Sequence, residues 1–185
     1  MTGLLQNALQ KSTLIAISAV LFVGFFQFNS WIFASLEYSH GISWVFLPAG
    51  FRVILVLVLG TSGAFGLMLG SWYIDRDMFG GSSEMLAIMN GVVSGFTPWL
   101  ILKYMTSQNG LNHQLQALST RQLLNMTLIF SAASAISHQL LWSVMERPNV
   151  NPWVDVWPMF FGNVTGALLM LYSFKFLLDR TRIKN

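Results

Sequence analysis

Cysteine is absent from all 185 positions, and acidic side chains number only seven. The first absence excludes disulfides, thiolate metal sites and cysteine nucleophiles, and it leaves the redox compartment unreadable. Charged residues of both signs reach 9%, against roughly 25% in ordinary soluble domains. The three histidines, His40, His113 and His138, form no H-x-x-x-H or E-x-x-H pair, so the sequence offers no helical metal or haem ligand set. G-x-S-x-G, a P-loop and close acid pairs are missing as well. The expectation is a protein that performs no chemistry of its own: not an enzyme, with no cofactor, no metal and no nucleic-acid partner.

What remains is apolar. Hydrophobic residues make up 54% of the chain, and they recur in runs of about 17–25 residues, the length that crosses a bilayer. The sequence therefore predicts an all-α integral membrane protein, a compact bundle of about six transmembrane helices forming one domain, 1–185. The expected spans are 12–36, 42–60, 62–73, 85–104, 122–145 and 156–178. The third is short and carries Gly63, Gly66 and Gly70, which predicts a tilted or incomplete span packed behind the second. The first is too long for a signal-peptide core and lacks an A-x-A cleavage pattern, so it is expected to be retained.

Six spans put both termini on one side. Lys11, Lys103, Arg121, Lys175, Arg180, Arg182 and Lys184 then share that side, while Arg76 and Arg147 lie opposite with six of the seven acids. The positive-inside rule predicts cytoplasmic termini. The polar stretch 106–120 becomes a cytoplasmic loop in which Leu111, Leu115 and Leu118 have the spacing of a short interfacial helix. Ser119 and Gln122 have capping-box spacing at the start of the fifth helix. Six of seven tryptophans (31, 44, 72, 142, 153, 157) fall toward the outer half, as headgroup anchors or as the walls of an outer pocket.

Three G-x-x-x-G pairs, Gly66/Gly70, Gly91/Gly95 and Gly162/Gly166, lie inside spans. Small residues four apart let helix backbones approach closely, within one bundle or against a second protein. Polar residues are just as patterned. At about 1.5 Å per helical residue, Gln27, Asn90, His138 and Asn163 lie roughly 8–14 Å from the outer ends of their spans and Arg52 about 15 Å. Thr127, Ser131, Ser134 and His138 form one stripe on the fifth helix; Asn90, Ser94 and Thr97 form another on the fourth. Such groups must face protein or water, so the five are expected to converge on an outward-open polar cavity that takes a small anionic or polar ligand.

Arg52 is the sharpest feature, a lone charge four residues after Pro48. Pro48 is expected to free the carbonyl of Trp44 one turn up, which the guanidinium can bond while snorkelling outward. Otherwise the partner is Glu84 or Asp155 reaching in, or an anionic ligand group.

The run Trp44-Val-Phe-Leu-Pro48-Ala49-Gly50, Gly66-x-x-x-Gly70, Asn90, and Trp157-Pro-Met-Phe-Phe-Gly162-Asn163-x-x-Gly166 together resemble the MASE1-type integral membrane sensor domain, over about 42–178. Asn163 stands where that family has an acid. The resemblance implies signal reception at a bacterial cytoplasmic membrane, and a chain of this length would act through a partner membrane protein. Three classes are open: a ligand-binding or sensory module, an accessory subunit of a larger membrane complex, and a substrate-binding transporter component.

Overall fold

The computed structural model describes residues 2–39, 41–109 and 119–181. Six α-helices account for most of them: α1 (Thr2–Ile32), α2 (Leu47–Leu59), α3 (Thr61–Ile74), α4 (Glu84–Asn109), α5 (Thr120–Val144) and α6 (Pro152–Thr181). A two-stranded antiparallel hairpin, β1 (Glu37–Ser39) with β2 (Ile42–Ser43), joins α1 to α2. The helices α1, α4 and α6 are each long and apolar enough to cross a membrane. In α5, 25 residues long, the polar stripe dilutes the apolar run. With 13 and 14 residues, α2 and α3 each span only about 20 Å, short of the roughly 30 Å hydrocarbon core.

The expected second span, 42–60, is thus helical only from Leu47. Residues 42–46 are extended or irregular because Pro48 occupies the first turn of α2, where its missing N–H costs nothing. Trp44 is consequently not helical, no carbonyl is freed by a kink, and that expected partner for Arg52 does not exist. Asn29 completes the boundary: its Oδ1 accepts the Leu47 N–H at 2.9 Å. The first span likewise ends at Ile32 rather than 36, and α4 runs to Asn109, into the stretch expected as loop. The expected interfacial helix around Leu111, Leu115 and Leu118 lies outside the described residues, as do His40, His113, Arg182 and Lys184. At Ser119 the capping box forms, with Gln122 N donating to Ser119 Oγ (3.2 Å) and Ser119 N to Gln122 Oε1 (2.9 Å).

Ten of the 13 residues of α2, Pro48 to Leu57, are buried, as expected for a helix apolar on every side. It is the central post of the bundle, contacted by α1, α3, α4 and α6. Gly60 alone connects it to α3: its N–H bonds Val56 O, its carbonyl accepts from Ala64, and its φ of 58° with ψ of −130° is open to glycine and strained for other residues.

The glycine pairs set the helix spacings, and each is used inside the bundle. A Cβ on Gly66 would strike Ser18 of α1, and one on Gly70 would come within 2.9 Å of Phe22, so α3 runs beside α1 in the same direction. A Cβ on Gly91 would strike Trp72, and one on Gly95 the Ala64 carbonyl, so α4 returns against α3. The third pair differs. Gly162 and Gly166 face the backbone of Ser43 and Phe46, forming a trough for the extended segment rather than for a helix, and Phe46 N donates to Gly162 O at 3.1 Å. The irregular backbone here is buried against protein, where its polar groups find partners.

Candidate functional site

The extended segment, α1 and the hairpin-end halves of α2 to α6 surround a cavity of about 100 Å³. Arg52, Asn90, His138 and Asn163, from four different helices, all line it, with Ser94 beside them. Gln27 does not: it is exposed on the outer side of α1. Thr127 and Ser131 are buried further down α5, outside the cavity lining. Of the seven tryptophans only Trp142 lines the cavity; Trp31, Trp153 and Trp157 are exposed.

Arg52 sits five residues into α2, about 7.5 Å from its start, with 6% of its surface exposed. Its guanidinium carbon lies 5.3 Å from the ring centres of both Phe22 and Phe46. Each aromatic face contributes about 0.5–2 kcal/mol to holding the cation. Hydrogen bonding is incomplete: Arg52 Nε has no acceptor, and among the described residues Arg52 forms no ion pair. The acids expected to reach it are occupied at their own helix starts, Glu84 Oε2 accepting Gly80 N (3.1 Å) and Asp155 Oδ2 accepting Asn151 N (2.8 Å).

The acid that does face the cavity is Asp75, which caps the end of α3. Its Oδ2 accepts from Asn90 Nδ2 at 3.2 Å, and Asn90 Oδ1 accepts in turn from Trp142 Nε1 at 2.8 Å, so one amide joins α3, α4 and α5. Burial pushes the Asp75 carboxyl above the ordinary carboxylate range, against the opposing pull of the Asn90 hydrogen bond and of Arg147 and Arg52. Arg147, just beyond α5, lies over the Trp142 ring with its guanidinium carbon 4.0 Å from the ring centre. Burial lowers its pKa, while Asp75 raises it.

His138 has little left to offer a ligand. Its Nδ1 lies 2.8 Å from the Ser134 carbonyl, which can only accept, so Nδ1 carries a proton. The neutral ring then satisfies Nε2 by accepting from the Ser94 hydroxyl at 3.1 Å. His138 is an interhelical tie between α4 and α5. Asn163 is the reverse case: it is 1% exposed, lines the cavity, and its Nδ2 has no hydrogen-bond partner.

Asn29, Asp75 and Arg147 were not singled out as site residues from the sequence. Asn29 follows Phe22 by seven and Phe25 by four, the spacing of the buried face of α1, whereas Gln27 falls off it. Ser71 and Asp75 continue the face of Ala64 and Leu67 in the same way. Arg147 lies beyond its helix, where no periodicity reaches it.

Fold and site define an all-helical protein with three helices long and apolar enough to cross a membrane and a small cavity near one end, lined by Arg52, Arg147 and Asp75. Comparison with family models, with curated proteins and with solved structures finds no match to this chain.

Proposed function

We propose that the chain is a non-enzymatic, MASE1-like sensory module of a bacterial cytoplasmic membrane that binds a small polar or anionic ligand in this cavity and acts through a partner membrane protein. The observation that carries the reading is Arg52: a charge 5.3 Å from two phenylalanine ring centres, with Nε unpartnered, on a cavity also lined by Asn163 with its own unpartnered donor. A buried charge without a hydrogen-bonded partner costs several kcal/mol, and two orphan donors on one small cavity call for an acceptor there. The interrupted second segment supports the same reading, since unwound backbone at membrane depth commonly builds solute sites. In this reading six segments cross, with both termini cytoplasmic.

A second reading, an accessory subunit of a larger complex, is favoured by an apolar furrow of about 580 Å³ between α5 and α6. Ala132, Ile136 and Leu140 form one wall, Trp153, Trp157 and Phe160 the other. A partner's transmembrane helix fits such a furrow, and in the sensory reading it is the route by which occupancy is passed on. Purification in mild detergent followed by mass spectrometry of protein and extracted small molecules separates the readings. A retained anionic or polar small molecule is the expected result; stable protein partners with no retained molecule favour the subunit, and solute accumulation in reconstituted vesicles favours a transporter component.

A further inference from the structure

We infer that the ligand of this cavity is a small planar anion bearing a single negative charge, of the class of short carboxylates; the inference rests on the ligand-binding reading above and goes on to its chemistry. Size is the first constraint. A cavity of about 100 Å³ holds on the order of seven to ten waters or a ligand of no more than about ten heavy atoms, since one water needs roughly 10–15 Å³ of such volume.

Charge is the second. Among the described residues Arg52 forms no ion pair, Asp75 and Arg147 on the same lining are opposite in charge, and the neutral tautomer of His138 satisfies both ring nitrogens. Arg52 thus holds one positive charge without an anionic partner. A monoanion neutralises it; a dianion would leave an uncompensated negative charge in a partly desolvated site facing the Asp75 carboxylate, and a neutral solute would leave Arg52 unpaired.

Donor geometry is the third. The unpartnered Arg52 atom is Nε, and Nε with a neighbouring Nη presents two parallel N–H groups that match the two oxygens of a carboxylate. The Asn163 amide supplies a further unpartnered donor from α6. Phe22 and Phe46 each place a ring centre 5.3 Å from the guanidinium carbon, which restricts the group's freedom before the ligand arrives.

The test is thermal unfolding of the full-length protein in mild detergent at fixed pH, with constant ionic strength maintained by gluconate, an anion too large for the cavity. Formate, nitrate, sulfate and the neutral planar formamide are titrated separately. Formate or nitrate should raise the midpoint saturably, with sulfate at least about tenfold weaker and formamide without effect. Arg52→Gln should abolish the response. If that variant does not fold, Asn163→Leu, expected to weaken formate by about tenfold, and Asp75→Asn serve instead. Because Asp75→Asn adds one unit of positive balance, it should shift the sulfate-to-formate preference toward sulfate by about tenfold. Sulfate or formamide binding as tightly as formate to the natural protein, or an unchanged preference in Asp75→Asn, overturns the single-charge assignment while leaving the ligand-binding reading standing. No saturable response to any of the four overturns both.

Discussion

Asn29 on α1 accepts the Leu47 N–H at 2.9 Å, so the helix that carries Arg52 takes its starting point from a side chain 18 residues earlier. The bond replaces a local N-cap: Phe46 precedes the helix and supplies no capping oxygen. Asn29→Leu should therefore behave as the loss of a cap, destabilising the protein by about 1–2 kcal/mol. Gln27→Leu, two residues away on the exposed face, should stay within about 0.5 kcal/mol. Unfolding midpoints of the two variants in one detergent check the difference; equal effects would remove the capping role.

Gly162 and Gly166 lie under backbone atoms of Ser43, Phe46 and Leu47, which cannot rotate away as a side chain can. Gly166→Val should cost about 3 kcal/mol or more, and it should release the extended segment from α6. Gly24 is the control, with nothing within 4 Å of its added Cβ and a helical backbone. Gly24→Ala is expected to be neutral or mildly stabilising. Thermal unfolding with limited proteolysis across 37–46 distinguishes a displaced segment from a general loss of stability.

Gly60 isolates a different cost. Space around it is as open as around Gly24, yet its φ is 58°. Gly60→Ala should destabilise by about 1–3 kcal/mol through backbone strain alone. Matched unfolding curves for the two glycine variants make the comparison; a Gly60→Ala protein as stable as Gly24→Ala would show that the α2–α3 turn relaxes freely.

Asp75 gives the protein a pH response whose sign follows from burial. Its folded-state pKa is raised from 3.8 by desolvation, which outweighs the Asn90 hydrogen bond and the charges of Arg147 and Arg52. The folded protein then binds the proton more tightly than the unfolded chain, so this group's contribution to stability is fully present below 3.8 and is lost as pH rises through the elevated value. Asp75→Asn removes that dependence. The stability of the variant relative to the natural protein should be greatest near neutral pH and should decline on acidification through the window above 3.8. A difference independent of pH would mean that Asp75 titrates as an ordinary carboxylate.

Much of this architecture is legible in residue order because burial makes polar spacing costly to ignore. Asn90, Ser94 and His138 meet as their periodicity predicts, and so do the two helix–helix glycine contacts. The extended segment is not legible in the same way. Trp44 to Leu47 is apolar enough to continue a helix, and only the tertiary fact that Asn29 and the Gly162/Gly166 trough satisfy its backbone lets it stay unwound. Gln27 misleads for a related reason. Depth along a helix is read from residue number, but the buried face is fixed by which side meets α2 and α3, and Phe22 and Asn29 mark that side.

Topology yields the last prediction, and the turn at Gly60 makes it robust. Because α2 and α3 form a hairpin, they add either two crossings or none, so in the proposed reading, where α1, α4, α5 and α6 each cross, both termini lie on the same side in either case. The contacts favour two. Gly50 lies against Ala167 and Met170, and Gly166 against Phe46 and Leu47. So α2 runs parallel to α6, and counting residue for residue brings Gly60 level with the last turns of α6, near Lys175 and Arg180. In the proposed reading the seven-to-two partition of basic residues predicts that end to be cytoplasmic. The absence of native cysteine makes the measurement direct, since single cysteines introduced at Thr61, Ser119 and Arg76 are the only thiols in each variant. A membrane-impermeant thiol reagent added outside intact cells should label position 76 alone, and positions 61 and 119 should react only after the cytoplasmic face is opened. Labelling of 119 but not 61 from the cytoplasmic face would make α2–α3 a re-entrant hairpin within four crossings, and external labelling of 119 would invert the orientation.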